Sequence, residues 1–258
     1  MTWGRAYPLL DLDPDLGQLL SEERRSDAIA RLQVEVQRLP PGRWMAERLA
    51  HTSPEHIGLL VVEGVLSREV IVAGTVSTEL LGPGEVVRPW SVFDVAPLLP
   101  LAVRWVALTE TRVAILDRYF GARSAQWPEI TSVLVERLNA RAERLATIHA
   151  ISQVTRVDRQ LLALFWHLAE RWGRVTSAGV VVPLTLSHRL LGQIVGARRP
   201  TVSIAIGELT RRGDLIRRDD GTWLLTGEPV APSADNVEPI VPLRRRLLPD
   251  VARDRPAL

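Results

Sequence analysis

The 258-residue chain carries 32 basic and 30 acidic residues; every basic one is arginine, and the formal net charge is +2. That length can bury one or two cores, the lack of cysteine excludes a thiolate-held iron–sulfur cluster and any thiol switch, and no apolar run approaches the ~20 residues that cross a bilayer. Residues 1–150 hold 16 arginines against 19 carboxylates, a net of −3, whereas residues 151–258 hold 16 against 11, a net of +5, so a polyanionic partner is expected for the second half.

Residues 1–50 read as an N-terminal helical extension. Leu19, Leu20, Ile29, Leu32, Val36 and Leu39 are set among charges, which predicts one or two amphipathic helices between Leu16 and Arg38, ended by Pro40-Pro41-Gly42. The start has no basic-then-apolar leader, so the cytoplasm is the expected compartment and no membrane partner is expected.

Over residues 51–126 the texture becomes β-rich. Runs at 57–66, 69–72 and 77–81 are separated by glycine turns, with Ala73-Gly74 as a hairpin tip and Gly82-Pro83-Gly84 as a tight turn. Val103 to Leu108 is expected to pair with Val113 to Leu116. Strands this short and this close together predict a small antiparallel roll or barrel.

Residues 127–152 form one long predicted helix. Ile130, Val133, Leu134, Leu138, Leu145 and Ile148 recur at spacings near three and four between charged flanks, and a narrow seam of this kind suits a coiled-coil-like homodimer contact. Packing of the helix against its own roll is the alternative. Asp158 to Trp172 follows as a helix too broadly apolar for a surface, and it is expected in the core of a second domain over 153–227.

That domain contains the most informative stretch, from Leu186 to Leu209. Ser187 is a candidate N-cap, Leu190, Leu191, Ile194 and Val195 form one stripe, and Gly196 breaks the helix. A second helix begins near Arg199 with Pro200 in its first turn, and Val202, Ala205, Ile206 and Leu209 face the first. This is a helix-turn-helix pattern, and the outward residues Arg198, Arg199, Pro200, Thr201, Ser203 and Ile204, together with Ser187 at the start of the first helix, are the predicted contacts to double-stranded DNA. An arginine fork can bind guanine O6 and N7, a serine can reach a base or a phosphate, and an isoleucine can pack on a thymine methyl. Two short apolar runs joined across Asp220-Gly221 then predict a hairpin wing whose Arg217 and Arg218 touch phosphates. Residues 228–258, with Arg244-Arg245-Arg246, are expected to be a disordered tail rich in proline and arginine.

With Gly192-Gln193-Ile194-Val195-Gly196 followed by Arg199 and Thr201-Val202-Ser203, the chain resembles the Crp/Fnr family of bacterial transcription regulators. More loosely the likeness runs from His56 to Leu225. It implies an α+β fold: an N-terminal antiparallel β-roll of the cyclic-nucleotide-binding-like, jelly-roll type, a long dimerisation helix and a C-terminal winged helix-turn-helix. Arg199 falls on the arginine that many members use to read guanine. Pro200 stands where many carry an acidic base contact, and Ile204 where some carry a second basic residue, so the likeness carries the binding mode and not the operator sequence.

Val62-Glu63-Gly64 and Leu81-Gly82-Pro83-Gly84-Glu85 are similar to the turn glycines of the cyclic-nucleotide fold. Members that hold cyclic AMP have a Gly-Glu pair for the ribose and an Arg-Ser or Arg-Thr pair for the phosphate; here those places hold Arg88-Pro89 and Ala102-Val103. Arg88 and Arg104 are the remaining candidates for an anionic effector. The five histidines have no paired ligand spacing, and no metal, phosphate-loop or nucleophile motif occurs, so no cofactor and no enzyme activity is expected. The leading expectation is a homodimeric regulator with a degenerate effector pocket that binds an inverted-repeat operator and works with RNA polymerase. Two alternatives stand beside it: a regulator that binds cyclic AMP or cyclic GMP despite the missing grip residues, and a non-signalling interaction protein that has kept the fold.

Overall fold

The computed structural model describes residues 6–45, 56–90 and 98–229. All but the first two residues of the tail expected over 228–258 lie outside them. In chain order the elements are β1 (Ala6–Pro8), α1 (Leu9–Leu12), a 3-10 turn (Pro14–Gly17), α2 (Glu22–Arg31), β2 (Gln33–Leu39), β3 (Gly42–Trp44), β4 (Gly58–Glu63), β5 (Leu66–Val72), β6 (Thr75–Leu81), β7 (Val86–Val87), β8 (Leu101–Ala107) and β9 (Thr111–Leu116). There follow α3 (Phe120–Ser124), α4 (Pro128–Ser152), α5 (Val157–Trp172), β10 (Arg174–Thr176), β11 (Gly179–Val182), α6 (His188–Val195), α7 (Arg199–Arg212), β12 (Leu215–Arg217) and β13 (Trp223–Leu225).

The first nine strands make two antiparallel sheets, ordered β1-β2-β9-β4-β7 and β3-β8-β5-β6. Leu59, Val61, Val113, Leu66, Leu81 and Trp105 meet between them. Leu60, Val86, Ala114 and Leu116 point the other way, under Leu9, Leu16, Leu32, Trp127, Ile130 and Leu134 of the flanking helical segments. Burial on both faces explains why β4 reads as an unbroken apolar run and not as an alternation. The β5–β6 hairpin closes through Ala73 (φ 48°) and Gly74 (φ 78°), the paired positive dihedrals that match the twist of the strands.

Two expectations need correction. Residues 33–39 are not helical. Val34 and Val36 alternate with Glu35 and Gln37, and β2 pairs with β9 over five residues, so the two-residue period of this segment overrides the helical spacing of Leu32, Val36 and Leu39. Since β1, β2 and β3 all enter the roll's sheets, the described residues 6–45 are part of the roll and not only a helical extension. Nor do Val103–Leu108 and Val113–Leu116 pair: β8 lies in one sheet beside β3 and β5, and β9 in the other between β2 and β4. The chain crosses between sheets at 108–110, where Leu108 N–H donates to the Val65 carbonyl at 2.8 Å and Val65 N–H donates to Thr109 Oγ1 at 3.0 Å.

α4 runs from the roll to the C-terminal domain, whose helices α5, α6 and α7 pack on one another beside a sheet ordered β10-β11-β13-β12, with α5 on β11 and α7 on β12. Phe165 and Trp223, fully buried with ring centroids 4.9 Å apart, anchor its core. This core does not stop at the domain boundary. Val65 and Leu80 of the roll are part of the same apolar cluster as Leu161, Leu164, Leu191 and Ile194.

Candidate DNA-reading surface

The Ser187 hydroxyl accepts the Leu190 N–H at 3.2 Å and so caps α6, whose Leu190, Leu191, Ile194 and Val195 are buried. Gly196 ends the helix at φ 75°, a left-handed conformation that a Cβ would strain, and Ala197 N–H closes the turn onto the Gly192 carbonyl at 2.9 Å. α7 then starts at Arg199 with Pro200 in its first turn. Val202, Ala205, Ile206 and Leu209 are buried against α5 and α6, and Arg198, Arg199, Pro200, Thr201, Ser203 and Ile204 are exposed, Ile204 at 66%.

The first turn of α7 holds no carboxylate, and its unpaired backbone N–H groups add partial positive charge. Among the described residues Arg198 and Arg199 have no carboxylate within ion-pair distance. Arg217 of β12 has none either; its guanidinium lies 5.8 Å from the Trp223 ring centroid. Arg218, in contrast, is 3.8 Å from Asp220, and the wing turn is held by Thr222 N–H donating to Asp220 Oδ1 at 2.9 Å. Arg212 at the end of α7 is committed to structure, bridging Asp158 at 3.1 Å and Asp214 at 2.8 Å. Of the site residues expected from the sequence, the structure leaves Arg198, Arg199, Pro200, Thr201, Ser203, Ile204, Arg217 and Arg218 exposed, while the Ser187 hydroxyl is taken up as the cap of α6.

His188 was not among them. Its Nδ1 lies 2.8 Å from Ser203 Oγ, and Ser203 donates to the Arg199 carbonyl at 3.1 Å, so the ring links the two helices at the reading face. Burial first, and then the charges of Arg217 and Arg199, push the imidazole below its ordinary pKa. The sequence did contain a signal, because the first residue of a capped helix before a reading helix is bound to border that face.

The seam residues of α4 divide. Ile130 and Leu134 are buried in the chain's own core beneath the roll, and Ile148 packs against the C-terminal domain, so none of these three forms a free dimer face. Leu138 (45% exposed) and Leu145 (40%) remain open, joined by Val135 (51%) and the exposed Ala142. These four recur at alternating intervals of three and four, the heptad spacing of a two-helix seam.

On the face of α4 next to this stripe, Arg137, Arg141 and Arg144 reach into the roll. Arg137 binds Asp13, with one contact at 2.9 Å; Arg141 holds Glu79 through two bonds of 2.7 and 2.8 Å; Arg144 meets Glu85 at 2.6 Å. Glu85, 4% exposed, also accepts the Gly82 N–H at 2.9 Å and lies 3.0 Å from Arg171 of α5. Gly82 passes under Trp172 of α5 so closely that a Cβ would meet the indole at 3.0 Å. Of the two effector candidates, Arg88 is exposed after β7, and Arg104 of β8, in the other sheet, pairs with Glu69 at 3.1 Å. Trp44, Trp90 and Trp105 pack into the interior of the roll. Among the described residues no cluster of metal-ligating side chains occurs, and no helix is long and apolar enough to cross a membrane.

No protein-family model matches the chain. It is 32% identical over 140 residues to the CRP-like cAMP-activated global transcriptional regulator of Mycobacterium tuberculosis, which covers 52% of this chain and 59% of that protein. The match thus spans about three fifths of that relative's length. Regulatory protein CysR of Synechococcus elongatus is 26% identical over 163 residues, covering 62% and 70%. In fold, a CooA mutant from Carboxydothermus hydrogenoformans is similar with a TM-score of 0.62 at 18% identity over 88% of this chain and 94% of that one. A cyclic nucleotide-binding domain containing protein from Listeria monocytogenes aligns with a TM-score of 0.61 at 16% identity, over 83% and 97%. The curated relatives that the chain matches are transcriptional regulators, one of them CRP-like, and the solved structures share its fold of roll, long helix and winged C-terminal domain.

Proposed function

We propose that this protein is a sequence-specific, homodimeric transcription regulator that works in the cytoplasm and binds an inverted-repeat DNA operator. The observation that carries the reading is the exposed N-terminal turn of α7, with Arg198 and Arg199 unpaired among the described residues. α7 enters the major groove, where Arg199 reads a guanine and Ile204 meets a thymine methyl; the β12–β13 wing lies on phosphates through Arg217 and Arg218. The stripe of Val135, Leu138, Ala142 and Leu145 supports a symmetric pair of α4 helices, which sets two readers about one helical turn apart. RNA polymerase is the further partner at a promoter.

The mycobacterial relative is described as cAMP-activated. For this chain we infer a degenerate pocket: Arg88-Pro89 and Ala102-Val103 stand at the places of the family's grip residues, and Arg104 is engaged by Glu69. Relatives that are regulators give no support for a catalytic role.

Selection of genomic fragments by the ligand-free protein at physiological salt tests this, with a repeat in cyclic AMP. Recovery of an inverted repeat without ligand is expected. Enrichment only with cyclic AMP overturns the degenerate pocket, and no enrichment in either overturns the regulator reading. Light scattering of Leu138→Arg/Leu145→Arg is expected to give a monomer, and a dimer that survives both charges would place the contact elsewhere.

A further inference from the structure

We propose that His188 is a phosphate contact of the reader whose ring takes up one proton when duplex DNA binds. The inference rests on the DNA-reading function and concerns a residue outside the arginine set. The Ser203 hydroxyl has one proton and directs it to the Arg199 carbonyl, so the short contact between Ser203 Oγ and His188 Nδ1 has the ring as donor. That assigns the neutral ring's hydrogen to Nδ1. Nε2 then holds a lone pair, and it has no hydrogen-bond partner among the described residues.

The charged groups that act on the ring are both positive: Arg199 from α7 and Arg217 from β12. Together with partial burial they keep it neutral in the free protein near pH 7. A DNA phosphate changes both conditions. Its oxygens only accept hydrogen bonds, so a neutral Nε2 has nothing to offer them, whereas a protonated one is a charge-assisted donor. The phosphate's negative charge offsets the two arginines that opposed protonation. The proton comes from solvent, no bond to carbon changes, and Nδ1 keeps its bond to Ser203 in both states. His188 thus makes the strength of a non-sequence-specific contact depend on proton activity in the physiological range, which neither Arg199 nor Arg217 can do.

The sign follows from linkage. The free ring titrates below its ordinary value and the bound ring above the free one, so binding is strongest at low pH and weakens as pH rises through the bound-state value. The test uses the full chain and a mixed-sequence duplex of about three helical turns, since phosphate contact needs no operator. Affinity measured between about pH 6 and 8 is expected to fall toward tenfold per pH unit over part of that range. Calorimetry in two buffers of different ionisation enthalpy should report proton uptake approaching one per reader. His188→Gln, which keeps a neutral donor for Ser203, should flatten both signals while melting with the parent. A parent whose binding takes up no proton, or a His188→Gln protein with the parent's pH slope, overturns the inference and leaves DNA reading intact. A duplex that fails to bind at every pH overturns the DNA-reading premise and this inference with it.

Discussion

At the junction of roll and helices, Arg137, Arg141, Arg144 and Arg171 each meet a buried carboxylate, whereas on the reader Arg198, Arg199 and Arg217 face outward with none within ion-pair distance among the described residues. One residue type does both jobs in a chain without lysine. What separates them is the supply of buried acid: Asp13, Glu79 and Glu85 sit on the roll's turns and strands, while the first turn of α7 holds no acidic residue. A buried pair fixes geometry because each partner is costly alone. An exposed guanidinium keeps its donors available to a ligand with matching acceptors.

The comparison is broken most directly at Glu85. Glu85→Ala leaves Arg144 and Arg171 facing each other without their shared acceptor, and it is expected to lower unfolding free energy by about 3 kcal/mol in a denaturant titration. A loss below 1 kcal/mol would mean that solvent already screens the junction. Arg199→Ala should do the reverse. Its stability stays within about 0.5 kcal/mol of the parent, while sequencing of selected fragments shows one base position per half-site relaxed, worth about 1–3 kcal/mol of discrimination. A reader that instead lost affinity for every sequence alike would put Arg199 on phosphate.

Smaller effects sharpen the contrast within the wing. Arg217→Ala should weaken all duplexes evenly and reduce the slope of log affinity against log salt by about one, and Arg218→Ala should reduce it less, because Asp220 already faces that guanidinium at 3.8 Å. The smallest is an acid effect. Burial opposes ionisation of Asp158, but hydrogen bonds from Arg156 and Arg212 more than offset it and hold the carboxyl below its ordinary value. Its contribution is therefore present above the ordinary carboxylate range and lost as pH falls through the lower, folded-state value. Denaturant titrations between about pH 5 and 2 should show Asp158→Asn with a shallower acid loss than the parent.

The reader was legible because its signals are local: a serine cap, a glycine stop, a proline start and two apolar stripes all lie within 24 residues of chain. The roll was legible in class but not in pairing. Which strands neighbour which depends on crossings such as the one at 108–110, and these are set by contacts over 40 residues apart, as between Val65 and Thr109. The alternation that marks β2 covers only five residues, and the apolar positions around it fit a helix equally well. Of the stripe expected on α4, Ile130 and Leu134 are covered by the roll and Leu138 and Leu145 stay exposed beside Val135 and Ala142, because spacing alone cannot tell which side of a 25-residue helix its own roll will bury. The junction's arginines occupy one face at 137, 141 and 144, a periodicity visible in the chain, but their acids come from segments more than 50 residues away.

Val65 and Leu80 belong by sequence to the roll and by packing to the core of the winged domain. A reader excised after α4 would leave its own apolar side wet, and a roll expressed alone would carry the complementary patch, so neither half is a faithful stand-in for the intact chain. Interiors this close-packed do not slide by fractions of an ångström; they trade one set of interlocked side chains for another. Any reorientation of the C-terminal helices relative to the roll is then a jump between distinct packings, quantal rather than graded.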